Sequence, residues 1–469
     1  MSDSNHTLEY APLDPDTGFS LSPEFVEEVQ DAIGHADLTA ARALVYSLPA
    51  PDQAELFEQL NPDERHWLTE AIASNFDAST LAELSPEAAE DVLEALGAEK
   101  SAEVLAAMET DDAVHILEDL SPQSQQEILE ELPALIRREL EDSLTYPEAS
   151  AGRLMRKTVV AVPENWTVGD TIDFLRASEQ DDLPEFFYIL YTVDAAFAPT
   201  GRIMLSAILS HKRDVKLTEI SNPNLYAVGP ETDQEEVAYL FRKYALVEAP
   251  VINESGMLVG TITVDDVVDV IEEEAEEDIL RAGGITMLDF HARLRETVRS
   301  RFWWLFVNLL TAVLASWVIS WFEGALEKIV ALAVVMPMVA SMGGNTGIQS
   351  STVAVRAMAV KYLTDTNRWS FVRKEMLIGT LNGIGIGAIM AVGTFFWFHD
   401  AGISVILLAA AIITMTFGGL FGALIPIWLQ RFNIDPAITS GVFLTTVTDC
   451  TGFFSFLGLA TIFLLHHHP

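Results

Sequence analysis

The sequence predicts a multidomain chain: an α-helical, solenoid-like N-terminal domain, a repeated α/β pair, a connecting helix and a five-helix, all-α transmembrane domain. Three observations carry this. A twelve-residue pattern recurs from residue 84 to residue 131, a strand–helix–strand–strand–helix pattern occurs twice between residues 158 and 271, and five long apolar segments follow residue 301. A chain of 469 residues exceeds one ordinary core, so several domains are expected.

Charge divides the chain in the same way. Residues 1–290 hold 61 Asp+Glu and 16 Lys+Arg, a balance of −45, whereas residues 291–469 hold 8 and 11, a balance of +3, together −42. The acidic part repels nucleic acid and anionic lipid and attracts cations. An acidic surface kept only for solubility gives the same balance, so charge alone assigns no function. The single cysteine, Cys450, leaves no intrachain disulfide framework and no cysteine-based zinc site. The opening MSDSNHTLEY has neither a basic flank nor an apolar core, so it does not read as a signal peptide, and a cytoplasmic N-terminus is expected.

In chain order, residues 1–30 are polar, carry Pro12, Pro15 and Pro23, and are expected to be flexible. Residues 31–147 form the helical domain. Its repeats are LSPEAAEDVLEA, LGAEKSAEVLAA, METDDAVHILED and LSPQSQQEILEE, with Leu84, Leu96, Met108, Leu120 and Leu132 in step. Each unit is too short to bury its apolar face alone, and the Ser-Pro pairs at 85–86 and 121–122 predict an N-cap followed by proline at the first helical position. A right-handed stack of short helices is expected.

Residues 148–215 and 216–277 then alternate strands and helices. TVVAVPENWTVGDTIDFLRA opens the first copy, and NLYAVGPETDQEEVAYLFRKYALVEAPVINESGMLVGTITVDDVVDVI is the second. Their order and spacing resemble a pair of CBS domains, which implies an adenine nucleotide site at the pair. The first copy departs at YTVDAAFAPTGRIMLSAIL, where the turn between strands reads as lengthened. The second copy runs into IEEEAEEDILRAGGI and a connecting helix over 278–300. At helical spacing Asp266, Asp269 and Glu273 share one face and Glu274, Glu277 and Asp278 another. Oxygen ligands of this density suit Mg²⁺ or Ca²⁺ rather than zinc, and a merely solvated acidic helix is an equal alternative.

The transmembrane domain, 301–465, is expected to have spans near 302–322, 325–355, 376–398, 403–429 and 440–464. Basic residues lie before the first span (Arg293, Arg295, Arg299, Arg301), between the second and third (Arg356, Lys361, Arg368, Arg373, Lys374) and between the fourth and fifth (Arg431). The positive-inside rule places these flanks in the cytoplasm, with the C-terminus outside. Gly379, Gly383 and Gly387, and Gly418 and Gly422, have the spacing of close helix packing. SMGGNTGIQSS, after Pro337, reads as an interruption of the helix lining a water-filled cavity. Asp449 is a lone carboxylate well inside the last span, where a charge costs at least ~2.5–3.5 kcal/mol, and so faces protein or water. A protonated, hydrogen-bonded Asp within a bundle is the plainer alternative.

Taken together, PMVASMGGNTGIQSSTVAVRAMA, DPAITSG, TTVTDCTG and TVDDVVDVIEEEAEEDIL, in this order and with this topology, resemble the MgtE magnesium channels over nearly the whole chain. The resemblance implies a homodimer in the cell (inner, cytoplasmic) membrane, with a pore on its two-fold axis faced by Asp449 of each subunit. In such a pore Gly344 and Asn345 are expected to offer further oxygens to a hydrated Mg²⁺. It also implies that cytoplasmic Mg²⁺ bridges Asp266, Asp269, Glu274, Glu277, Asp278 and Asp112 to hold a closed state. Neither a GxxxxGK[ST] loop nor a DKTG sequence for a primary pump is present, nor a GxSxG or HExxH site for a hydrolase, so no enzyme is expected. The rivals are a Na⁺- or H⁺-coupled divalent-cation transporter and a membrane-tethered sensor without transport.

Overall fold

The computed structural model describes residues 20–178, 183–184, 186–283, 294–432 and 436–464, without the side chains of 278, 282, 294, 296, 300 and 436–440. The chain divides into two compact units, residues 1–271 and 272–469. The predicted flexible stretch 1–30 lies mostly outside the described residues, as does much of the predicted connecting helix.

The first unit opens with ten α-helices: α1 (Pro23–Gly34), α2 (Leu38–Val45), α3 (Ala50–Gln59), α4 (Pro62–Ile72), α5 (Ala78–Ala82), α6 (Pro86–Leu96), α7 (Ala98–Leu105), α8 (Thr110–Asp119), α9 (Pro122–Glu131) and α10 (Ala134–Leu144). Each twelve-residue repeat yields one helix, because Val92-Leu93, Val104-Leu105, Ile116-Leu117 and Ile128 recur on the buried side and join one continuous core. Each such side chain contributes roughly 1.5–3 kcal/mol by burial. Prolines open several helices. Ser121 caps α9 through its hydroxyl, which accepts from the Ser124 amide at 3.2 Å, and Asn61 and Glu64 form a reciprocal capping box on α4. Ser85 takes the predicted N-cap position of α6 with Pro86 following, but its hydroxyl makes no capping hydrogen bond and is buried without a partner, while its amide donates to Glu58 Oε1 at 2.8 Å.

The α/β pair follows as α11 (Ala151–Leu154), β1 (Ala161–Pro163), α12 (Val168–Ala177), β2 (Ile189–Val193), β3 (Pro199–Met204), α13 (Leu205–Ser210), α14 (Leu217–Ile220), α15 (Gln234–Tyr244), β4 (Glu248–Ile252), β5 (Leu258–Thr263) and α16 (Val264–Ala282). Strand β2 is central, parallel to β1 and antiparallel to β3, and β4 pairs antiparallel with β5. The turn predicted to be lengthened is not. Both β-turn segments span five residues, 194–198 and 253–257. In each, the first residue's side chain closes the loop: Asp194 Oδ1 accepts from the amides of Ala196 and Ala198, and Asn253 Oδ1 from those of Ser255 and Met257. The first copy reads irregularly because β2 is buried at every position, which removes the alternation, and because Phe197 holds φ 59° in that loop whereas Gly256 holds φ 80° in the other. The copies also exchange segments: Ala151 and Met155 pack in the core of the second copy, and Leu217 in that of the first.

The second unit contains α17 (Leu294–Ser320), the short α18 (Glu323–Lys328), α19 (Val330–Ala359), α20 (Arg368–Phe398), α21 (Ala401–Arg431) and α22 (Pro436–Phe463). All but α18 are long and apolar enough to cross a bilayer. Helix α21 is central, with 56% of its most apolar stretch buried against 11% for α17, and it packs on α19, α20 and α22. The second span begins at Val330 rather than near 325, because Glu323–Lys328 forms its own turn-and-a-half before Ile329 breaks the run. The third begins at Arg368, a full two turns before the apolar signal starts.

The predicted interruption at SMGGNTGIQSS is also corrected. Helix α19 is continuous from 330 to 359, with Pro337 accommodated inside it. Its glycines are contact points instead. A Cβ on Gly418 would stand 2.7 Å from the Gly343 carbonyl oxygen, and one on Gly347 3.0 Å from the Leu444 side chain. Side-chain-free positions therefore let the α19 and α21 backbones touch, which a helix tolerates at lower cost than a break at membrane depth.

Candidate functional site

In the membrane unit, Asp449 sits at mid-helix on α22, half-buried, in the turn that packs on α19: a Cβ on Gly343 would lie 3.7 Å from Thr448 Cβ, and one on Gly344 4.0 Å from Thr448 Oγ1. Asp449 and Gly344 thus lie at one level of the two helices. Asn345 follows Gly344 and is exposed. It belongs to a row of Ser341, Asn345, Gln349 and Thr352, all exposed on one face of α19 together with Ile348. Such a stripe is costly against lipid and suits water or a second protein surface. A second acid, missed in the sequence, is Glu375 on α20: it is 8% exposed and accepts from Ser350 Oγ at 2.9 Å, a hydroxyl that also lies 3.0 Å from the Gly419 carbonyl oxygen. It was overlooked because the apolar run begins one residue later, at Met376.

On α16, Asp266 and Asp269 lie in the first turns, and Glu274 and Glu277 farther along the same helix. Asp266 is fully engaged: Oδ2 accepts from the Thr263 amide at 3.2 Å and from the Thr263 hydroxyl, and Oδ1 accepts from Arg156. Glu277 pairs with Arg281. The side chain of Asp278 lies outside the described residues. Among the described residues no group of three or more His, Cys, Asp or Glu is set to hold a metal ion.

What brings carboxylates together is Arg156, a residue that no local pattern singled out. Its Nη1 lies 2.8 Å from Glu109 Oε2, its Nε donates to Asp111 Oδ2 at 3.0 Å, and its Nη2 donates to Asp265 Oδ2 at 3.0 Å and Asp266 Oδ1 at 2.8 Å. Glu109 and Asp111 stand at the start of α8, and Asp265 and Asp266 at the start of α16. The Arg156 backbone is fixed by reciprocal hydrogen bonds with Thr261 of β5, at 2.8 and 3.0 Å. Burial opposes the guanidinium charge, but Asp111, Asp266 and Glu109 outweigh it and hold its pKa above the ordinary value. One cation does not balance the acids around it. Burial first, then Asp266, raise Asp112 to about 6, and burial, Asp266 and Asp112 push Asp111 well up. The Asp111 Oδ1 atom is buried without a hydrogen-bond partner.

A carboxylate inside a membrane-length helix, a polar stripe beside it and an acidic α/β and helical part on the same chain define a multi-pass membrane protein of the cation-handling class. Family models agree in order along the chain: an MgtE intracellular N domain over residues 48–149, a CBS domain over 217–273 and the MgtE divalent cation transporter domain over 336–459. The magnesium transporter MgtE of Thermus thermophilus is 34% identical over 452 residues, 95% of this chain and 99% of that protein. That of Bacillus subtilis is 29% identical over 337 residues, 72% of this chain and 74% of that protein. A solved cytosolic domain of the Mg²⁺ channel MgtE in complex with ATP matches at 32% identity and TM-score 0.48, covering 52% of this chain and 99% of its own. The chain belongs to the MgtE family.

Proposed function

We propose that the protein forms a homodimeric, Mg²⁺-selective channel that passes divalent cations into the cytoplasm down the electrochemical gradient. It lies in the cytoplasmic (inner) membrane with its N-terminus inside and its C-terminus outside. The observation that carries this is the pairing of Asp449 with the polar stripe of α19: a two-fold axis along that face sets two carboxylates, Gly344 and Asn345 around one aqueous path. Mg²⁺ sheds its water reluctantly, and a wide site with two acids holds the hydrated ion through its waters. A divalent ion gains about 4.6 kcal/mol per 100 mV of membrane potential, enough to drive uptake without a coupled ion. The magnesium transporters to which the chain is similar support the choice of cargo.

Cytoplasmic Mg²⁺ closes the path by neutralising the acidic face of α16, at Asp269, Glu274, Glu277 and Asp278, with Asp266 and Asp112 in the neighbouring cluster. The basic Arg202 over the Tyr226 ring, 5.2 Å to its centre, offers a cation and an aromatic face that fit an adenine nucleotide at the CBS pair. In proteoliposomes, Asp449→Ala should abolish Mg²⁺ flux while the dimer survives size-exclusion chromatography; wild-type flux in that variant would sink the pore assignment. Flux that collapses with the Na⁺ or H⁺ gradient, rather than following the potential, would favour the coupled transporter.

A further inference from the structure

The cluster at the start of α8 is built around a guanidinium, not around a point-like ion. Four carboxylates from two elements, distant in sequence, meet four of the five N–H donors of one side chain, within 2.8–3.0 Å. The side chains of Arg156 and Asp266 are 13% exposed and that of Asp111 6%, so these three groups are shielded from solvent, whereas Glu109 and Asp265 lie at the rim with 34% and 66% of their side chains exposed. Three residues earlier, Arg153 reaches the other end of the same helix: its Nη1 donates to Glu118 at 2.7 Å, while Nε and Nη2 are tied to the Tyr146 and Leu144 carbonyls. Helix α8 is therefore pinned at both ends by arginines of one segment, and that segment is hydrogen-bonded to β5 of the second CBS copy. The acids around Arg156 remain in excess, and Asp111 Oδ1 is left buried and unpartnered, an acceptor that the planar fork does not satisfy.

We propose that Arg156 is a resident counter-cation. It fastens the N domain to the second CBS copy with no metal ion, and it holds Glu109, Asp111 and Asp266 against a hard divalent cation that would otherwise bind them. This rests on the regulatory reading above and narrows it: the chain carries its own fixed positive charge at the α8–α16 contact, so Mg²⁺ control falls on the acids farther along α16 rather than on Asp266 and Asp112. Taking Arg156 away leaves four carboxylates facing one another, and the contact then requires Mg²⁺.

The test is hydrogen–deuterium exchange of peptides covering α8 in the full-length protein. Wild-type α8 should stay protected in EDTA and respond little to MgCl2. Arg156→Gln should exchange about tenfold faster or more in EDTA, as expected when several charge-assisted hydrogen bonds are lost. MgCl2 should restore protection, and choline chloride at matched ionic strength should not. Removing acids should do the same without metal: Arg156→Gln combined with Asp111→Asn and Asp265→Asn should be protected in EDTA. The proposal is overturned if Arg156→Gln is as protected as wild type in EDTA, if its lost protection does not return with MgCl2, or if the triple variant exchanges as fast as the single one. Exchange is read without transport, so an Asp449→Ala protein lacking flux should give the wild-type exchange pattern; failure of the pore reading and failure of this one stay separable.

Discussion

At the scale of single residues, buried acids carry the sharpest consequences. Glu248, on β4, is 6% exposed, and burial pushes its carboxyl up to about 7, against the pull of Tyr191 and Arg156. The Tyr191 hydroxyl, itself buried, stands near enough to feel this carboxylate without completing a hydrogen bond of ordinary geometry. A carboxyl whose folded pKa exceeds its unfolded value binds its proton more tightly when folded, so stability falls as pH rises from about 4.5 through about 7. The cost by pH 8 is on the order of 3 kcal/mol. Glu248→Gln should therefore flatten the fall in melting temperature between pH 5 and 8; the same slope in both proteins would assign the effect elsewhere. Asp449 was legible in sequence as an acid in an apolar run. Arg156 was not, because its partners lie 45 to 110 residues away and only the fold brings them within reach.

Among elements, the repeats and the five spans were readable because periodicity reports burial, and burial is what folds them. Helix ends and the α19 glycines were not, because a glycine in an apolar run signals equally a break and a close contact, and only the neighbouring backbone decides. That neighbour is α21. Gly418→Ala would place a Cβ against the Gly343 carbonyl oxygen, and overpacking of this kind costs roughly 1–3 kcal/mol. Gly385→Ala on α20 meets open space and should leave thermal stability in detergent unchanged or slightly raised. Equal losses in the two variants would argue against glycine-mediated packing of α19 on α21. In the CBS pair, Phe197→Gly should stabilise its loop by up to about 1 kcal/mol, since it occupies the left-handed region that Gly256 fills in the sister turn. Denaturant midpoints of the two proteins would show it.

For the whole molecule, the governing quantity is a net charge of −42, the sum of −45 over the first 290 residues and +3 over the rest. Self-repulsion on this scale destabilises the folded state, and a ligand present at a hundred times its dissociation constant restores about 2.7 kcal/mol. MgCl2 should raise the melting temperature of the full-length protein more than NaCl at equal ionic strength; equal shifts would reduce the effect to screening. The charge division was plain from composition, whereas the distribution of cations inside it was not.

The loose seating of α17 has a mechanical side. It rests chiefly on α22, while α19, α20 and α21 are joined by backbone contacts at glycines. A displacement applied along α17 is thus transmitted first to the helix that carries Asp449, with the glycine-joined trio acting as the fixed abutment.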